Sequence, residues 1–525
     1  MLGELQMFGR YARALKTFFS EEVSLGQAQA LLSEGLAHRE KSFLLTVRKG
    51  IFDIPRSPYL ALFRWAGIEW GDVERLVRSE GVEGALQKLC VGGVRVTLDE
   101  FKGQRPIQRP GLELPVAAED FDSPLLNAHF EGRTGGSGGA RRRLAVDLGL
   151  VAHDAAMCRI MLESLEARRM PSATWRAVPP NNSGLKKALM GARIGIPLDR
   201  WFSELPTRWD PANFKYAAFT AYTVWAARRA GRRFPYPEHV TREEVGIIVD
   251  WMAGMVAAGT PAYMDCAASA AVQICQAALD SGADLTGSLF RAGSESLTQA
   301  RAETIRRTGS RVVAGFSTSE TGPIGMACAN PAAVDDVHIL TDKIAVIQAM
   351  PGDTEPGRGD TLFMTTIFPS CPKILFNVDS GDSGVLETRD CGCGLEGVGF
   401  KLHLRQIHSH EKLTSEGILL PPAEICRLVE EVLPAAFGGA PTDYQLIEDG
   451  RDGIPMIRIV IRPEVGPVDD ATVVRTFLTA MSRSGAGGTL MAQQLEQAGT
   501  LSVIRREPHR SPIGKMIPLF VVPKE

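Results

Sequence analysis

The sequence predicts an α/β fold: a large layered α/β domain over residues 1–408, joined to a small α+β domain over residues 409–525. Three observations predict it. The chain has 525 residues, past the size at which one hydrophobic core stops growing. From about residue 144 to 404, helical patterns at 216–230, 243–258 and 267–281 alternate with short β-branched runs such as Arg311-Val312-Val313 and 343–347, the signature of a layered α/β domain. After about His410 the pattern changes to helix 422–432, strand 456–461, helix 471–483 and strand 501–505, a compact α+β set of ordinary domain size.

Ahead of these elements, apolar residues recur at three- and four-residue spacing in Ala28, Leu31 and Leu32 and again in Val73, Leu76 and Val77. That period predicts a mainly helical lead-in within residues 1–125. Prolines and charges dominate 102–124 and predict an extended connection into a glycine-rich stretch. Residues 484–488 form a short low-complexity patch, and no internal repeat is found.

Composition excludes several classes. Hydrophobic residues make up 44% and charged residues 23%, close to soluble globular averages. With 58 basic and 61 acidic residues, the net charge of −3 argues against a nucleic-acid or anionic-membrane partner. No apolar run reaches the roughly 20 residues needed to cross a bilayer, and residues 1–16 lack a signal-peptide core. A cytoplasmic protein acting on small molecules is expected. Nine cysteines, odd in number and widely spread, suit reduced thiols or metal ligands better than a secreted disulfide framework.

Four stretches carry candidate chemistry. Arg133-Thr134-Gly135-Gly136-Ser137-Gly138-Gly139-Ala140-Arg141-Arg142-Arg143 could cradle a phosphate: the glycines admit close backbone approach, the hydroxyls donate and the arginines neutralise charge. It lacks the Gly-Lys-Ser/Thr ending of a Walker loop. Phe316-Ser317-Thr318-Ser319-Glu320 sets a carboxylate in a small-residue turn after an apolar strand, where Mg²⁺ on ATP phosphates could be held. Asp382, flanked by Gly381 and Gly384, could accept bonds from ribose hydroxyls. Lys515, beside Pro512 and Gly514, sits on a constrained loop ten residues from the C-terminus. Taken singly, each also fits a bland reading: a flexible linker, a polar turn, a hairpin turn, a solvated tail lysine.

In this order and at these distances the stretches resemble the adenylate-forming superfamily of acyl-CoA synthetases and adenylation domains, over about residues 55–525. Gly259-Thr260-Pro261-Ala262-Tyr263 and Gly293-Ser294-Glu295-Ser296 are similar to elements of its phenylacetate-coenzyme A ligase branch. The resemblance implies ATP contacts from Thr134, Gly135, Gly136, Ser137, Gly138, Gly139 and Arg142, from Gly293, Ser294 and Glu295, and from Phe316, Ser317, Thr318 and Ser319. It implies a ribose aspartate at Asp382, Mg²⁺ on Glu320, and a catalytic Lys515. The sequence departs from the branch in three places. Arg141 and Arg142 replace a Pro and a Lys, Ser317 replaces a glycine, and the hinge reads Ile407-His408-Ser409-His410-Glu411 where the branch has Gly-Arg-x-Asp-Asp. The ribose-contacting arginine is absent from its place, leaving His408 or Arg405 to supply that contact.

The resemblance further implies activation of a carboxylic acid as an acyl-AMP with release of pyrophosphate, then rotation of the small domain and transfer to a thiol. Coenzyme A is the expected acceptor, with a carrier protein or an amine as the alternative and a non-catalytic nucleotide-binding homologue as the rival reading. An acyl pocket at Tyr222, Tyr263, Ala314 and Gly315, with Trp225 nearby, would suit an aryl or arylacetic acid. The oligomeric state stays open, a homodimer included. Finally Cys328, His338, Cys391 and Cys393 make a three-sulfur, one-imidazole set suited to structural zinc. Free cysteines in two unrelated turns fit the spacing equally, and some members of the branch resemble this Cys, His and later Cys-pair pattern. Cys371 stands as a reserve ligand.

Overall fold

A computed structural model describes residues 2–133, 143–211, 213–348, 361–409, 418, 420–451, 454–511 and 514–522. Its centre is a 12-stranded mixed sheet. Six strands run parallel, in the spatial order Arg311–Thr318, Leu289–Gly293, Tyr263–Ala267, Ser172–Trp175, Arg200–Ser203 and Pro237–His239. Strands Leu289–Gly293 and Ser172–Trp175 are buried at every position, as strands covered on both faces must be. From Arg311–Thr318 outward the sheet continues antiparallel through Gly322–Ala327, Val337–Ile339, Leu402–Ser409, Val378–Thr388, Thr361–Thr366 and Ile344–Gln348.

The sheet's helices fall close to their expected places: Phe214–Arg229, Gly246–Ala257 and Ala268–Ser281. The last ends where Gly282 takes φ +71°, the left-handed stop that glycine adopts without a Cβ clash. The lead-in is helical as its period requires, with Leu2–Ser20, Leu25–Ala37, Arg39–Val47, Pro58–Trp65 and Trp70–Val91. It is part of the main core: Phe43 and Phe63 pack on Phe376, and the Tyr11 hydroxyl meets Thr223 Oγ1 at 2.8 Å. The stretch read as an extended connection folds locally into a hairpin, Ile107–Arg109 with Leu112–Leu114, turning at Gly111 with φ +76°.

A second core, formed by residues such as Ile425, Val429, Leu446, Ile459, Phe477 and Leu519, surrounds a four-stranded sheet ordered Leu501–Arg505, Ile454–Ile461, Tyr444–Arg451, Leu519–Val521. The helix expected over 422–432 is longer. It runs from Pro422 through a π-helical turn, Leu428–Val432, into Leu433–Phe437. The glycine-rich patch at 484–488 leads into a helix, Ala486–Ala498. There a Cβ on Gly488 would stand 2.3 Å from the Met481 carbonyl oxygen, so close packing of two helices explains a residue that propensity alone assigns to a loop. Among the described residues, no helix is long and apolar enough to cross a membrane.

Candidate active site

The carboxyl ends of the parallel strands open onto a cavity of about 210 Å³, the place where open α/β sheets bind ligands. Gly293 and Ser294 reach it from one strand end, Ser317, Thr318 and Ser319 from the next, and Lys515 from the segment that follows the second core. Gly132, Arg133 and Leu144 also line it. They belong to the antiparallel stem Phe130–Arg133 and Arg143–Val146. The loop on that stem, with Thr134, Gly135, Gly136, Ser137, Gly138, Gly139, Arg141 and Arg142, lies outside the described residues. A wider depression of about 410 Å³ beside Trp225 and Tyr236 contains none of the expected ATP-site residues.

Beneath the cavity lies a charge network that the motifs did not reveal. Asp265, 2% exposed, pairs with Arg291 Nη1 at 2.8 Å, Lys187 Nζ at 2.9 Å and Arg176 Nε. Burial alone would raise the Asp265 pKa, but Arg176, Lys187 and Arg291 hold it well below the carboxylate range. Three cations against one anion leave the floor positive, which suits a polyphosphate. Arg176 Nη1 also donates to Ser294 Oγ at 2.9 Å, fixing a residue held at φ +70°. Gly315 lets the Arg291 guanidinium pass, since a Cβ there would lie 2.4 Å from Arg291 Nη2. The available sequence signal was a charge inside an apolar strand, Asp265 in Tyr263–Ala267 and Arg291 in Leu289–Gly293.

Lys515 is held over the cavity by a buried clamp. The Met516 N–H donates to Glu295 Oε1 at 2.7 Å, and Arg301 Nη2 donates to the Met516 carbonyl at 3.3 Å. Arg301 pairs with Glu295 at 3.1 Å and with Glu430 at 2.8 Å, all three side chains being 2% exposed. Glu430 lies in the π-helical turn of the second core, so the clamp joins the two cores. Arg242, paired with Glu204 at 2.9 Å, donates to the Gly514 carbonyl. A Cβ on Gly514, φ +76°, would sit 2.2 Å from Glu204 Oε1, so only glycine fits there. Glu295, expected from the resemblance to contact nucleotide, is committed instead to Ser269, Arg301 and Met516.

Other expected residues lie elsewhere. Glu320 occupies the turn between strands Arg311–Thr318 and Gly322–Ala327, half-buried, and Phe316 pairs with Gly325. Asp382 lies within the long strand Val378–Thr388, after Gly381 at φ +71°. It is opposite Ser409, while His408 is opposite Ser383. Strand alternation therefore sends the Asp382 and His408 side chains to opposite faces. Arg405 Nε pairs with Glu387 at 3.1 Å. The expected acyl-pocket residues Tyr222, Tyr263, Ala314 and Gly315 do not line this cavity. Tyr222 packs on Phe8, with ring centroids 5.0 Å apart, and Tyr263 is a core residue, 6% exposed.

A separate Cys/His cluster forms on the antiparallel side of the sheet. Ligand atoms of Cys328, His338, Cys391 and His403 lie within 4.8 Å of one another, and Cys393 Sγ is 3.1 Å from His338 Nε2. His338 Nδ1 faces the Phe400 carbonyl at 2.8 Å. A carbonyl only accepts, so Nδ1 carries the proton and Nε2 presents a lone pair to the sulfurs. His403 Nδ1 pairs with Asp336 at 2.7 Å, while its Nε2 is buried with no hydrogen-bond partner. A hydrogen bond from Cys328 favours the Cys393 thiolate, and His338 adds to this. The two sulfurs of Cys328 and Cys391 with the imidazoles of His338 and His403 make a four-donor set that fits a thiophilic ion such as zinc, Cys393 standing beside His338. His403 was missed by sequence reasoning, since nothing in the mixed polar and apolar run Leu402–Ser409 marks it as a ligand. Cys371 does not join the group. It is fully buried beside Lys343, Asp154 and Asp342.

Comparison with solved structures places this architecture. The chain superposes on 2-hydroxyisobutyryl-CoA ligase in the postadenylation state with 2-HIB-AMP at a TM-score of 0.55 and 13% identity, covering 96% of this chain and 91% of that one. The fold is that of the adenylate-forming enzymes. The same ligase in complex with R3-HIB-AMP gives a TM-score of 0.52 at 14% identity, covering 95% and 90%. No family model matches the sequence, and no curated protein matches it. In this adenylate-forming fold, the layered α/β expectation holds, with the mixed sheet carrying the cavity at its parallel half.

Proposed function

We propose that the chain is an adenylate-forming acid ligase of the phenylacetate-coenzyme A ligase-like branch, cytoplasmic, converting a carboxylic acid and ATP to an acyl-AMP and pyrophosphate. One observation carries the reading: Lys515 enters the same cavity as Gly293, Ser294, Ser317, Thr318 and Ser319, over a buried floor of net positive charge. The acid's carboxylate oxygen attacks the α-phosphorus in line, and the bridging oxygen leaves with pyrophosphate. Protein catalysis then reduces to positioning and to neutralising charge on the phosphate oxygens. Lys515 contacts the carboxylate and α-phosphate, Thr134 and Ser137 supply phosphate donors, and Asp382 takes the ribose. Mg²⁺ held by Glu320 would offset phosphate charge. Zinc held by Cys328, Cys391, Cys393 and His338 or His403 would brace the loops after Glu320 and Asp382 without taking part in the reaction.

In the second step the small domain, residues 409–525, turns about the segment at His408 and withdraws Lys515, and the acyl group passes to coenzyme A. The test is pyrophosphate–ATP exchange by the purified chain with Mg²⁺ and a panel of carboxylic acids, followed by acceptor assays with coenzyme A and a carrier protein. Acid-dependent exchange is expected. ATP binding without exchange for any acid would overturn the reading in favour of a non-catalytic nucleotide binder.

A further inference from the structure

Two polar side chains in the cavity wall have no hydrogen-bond partner among the described residues. Asn182 is 5% exposed, and both its Oδ1 and Nδ2 are buried without a hydrogen bond. A buried amide with neither group satisfied is destabilising, and such groups in native proteins call for an explanation. The amide lies close against the strand at Gly132, where a Cβ would stand 2.3 Å from Asn182 Nδ2. Asn182 caps the helix Ser183–Arg193, and one turn further along lies Lys186, which also lines the cavity. Its neighbour Lys187 is taken by Asp265, and across the wall Lys343 is taken by Asp154 at 2.7 Å. The Lys186 side chain makes no hydrogen bond and no ion pair among the described residues, its backbone N–H donating to the Asn182 carbonyl. Burial disfavours its charge, with Asp154 acting in the opposite direction.

Apolar side chains surround this pair on the side of the large body. Val146, Val151 and Met190 line the cavity with Asn182 and Lys186, and all three are buried apolar side chains. The wall belongs wholly to the large body, whereas Lys515 arrives from the other core. Beside these apolar side chains stand the Lys186 ammonium and the Asn182 amide, with Asp154 already paired to Lys343, a set that fits an organic chain ending in an anion. It fits a hydrated polyphosphate poorly.

We infer that the acid activated here is a short aliphatic dicarboxylate, one carboxylate reacting at Lys515 and the other held by Lys186 and Asn182. The inference rests on the adenylate-forming reading. It replaces the aryl acid expected from Tyr222 and Tyr263, which do not line the cavity. A charged hydrogen bond contributes about 1.5–3 kcal/mol, so discrimination against a monocarboxylate of equal length should be about tenfold to a hundredfold.

The experiment is pyrophosphate–ATP exchange by the full chain across three series: dicarboxylates of two to six carbons, their monocarboxylate counterparts, and aryl acids. The same assays are run on Lys186→Met and Lys186→Gln. The expected result is preference for one dicarboxylate, with both variants raising its KM about tenfold to a hundredfold and leaving the KM for ATP unchanged. Preference for aryl or monocarboxylic acids would overturn the inference while leaving the adenylating activity established. A raised KM for ATP with an unchanged KM for acid would assign Lys186 to the phosphates and overturn it too. Exchange with no acid at all would remove the activity reading and this inference together.

Discussion

Arg301→Met tests whether the clamp sets the position of Lys515. In the structure Arg301 separates Glu295 and Glu430, both 2% exposed. Removing the cation leaves two buried carboxylates uncompensated, a loss of about 3–5 kcal/mol for a buried pair. Glu430 belongs to the second core, so the molecule can relieve the strain by undocking that core and rehydrating the carboxylate. Undocking takes Met516, and Lys515 beside it, away from the cavity. At about 1.4 kcal/mol per tenfold change, the docking equilibrium constant should fall by about two to three and a half orders of magnitude. Pyrophosphate–ATP exchange should fall with it. Small-angle scattering should show a more extended particle, and each core should still melt cooperatively. Adding Glu430→Gln should restore part of the exchange, since one of the two stranded charges is gone. Near-normal exchange by Arg301→Met, with only a lowered melting temperature, would show that the clamp stabilises the chain without positioning the lysine.

Four further outcomes follow from the site. Lys515→Ala should slow exchange by about two to three orders of magnitude, because one charged transition-state contact is worth about 2.7–4 kcal/mol, with melting unchanged; near-normal exchange would remove Lys515 from the chemistry. Asp382→Ala should raise the KM for ATP more than it lowers kcat, since a ribose contact is made in ground and transition states alike; an unchanged KM would move the ribose elsewhere. Purified protein should contain about one zinc per chain, and Cys391→Ser should lose it and melt at lower temperature; metal-free protein of equal stability would leave the cluster as plain thiols. His153 is buried between Asp342 at 2.7 Å and Asp154 at 3.7 Å. Burial lowers its pKa, but the two carboxylates outweigh this and raise it to about 9 from 6.5. The stabilisation it gives is complete below pH 6.5 and lost as pH rises through about 9. The melting temperature should fall across that window in the wild type but not in His153→Gln.

Local pattern made much of this molecule legible in advance. Apolar period and β-branched runs announced the layered body and the helical lead-in, because side-chain periodicity of 3.6 and 2 is fixed by the chain itself. Glycine-rich and small-residue turns announced the strand ends at Gly293 and Ser317, because few residues tolerate the backbone those turns need. The cysteine and histidine positions 328, 338 and 391 announced a cluster that the structure brings together, with His403 as its fourth member and Cys393 beside His338.

What the sequence left open depended on distances between residues far apart along the chain. Glu295 reads as a turn residue beside an ATP motif, and only packing against Arg301, Glu430 and Met516 turns it into part of a clamp. Asp265, Arg291 and Lys187 look like scattered charges until three separate elements bring them within 3 Å. Tyr222 and Tyr263 look like pocket residues until the lead-in and the sheet enclose them. Lys186 could not be told from any other helix lysine, because what distinguishes it among the described residues is that the nearby Asp154 is bonded to Lys343 instead, and that is a property of the assembled wall. Secondary structure and turn chemistry are local free energies written in the sequence, whereas the pairing or isolation of a buried charge is settled only when tertiary packing fixes which groups are its neighbours.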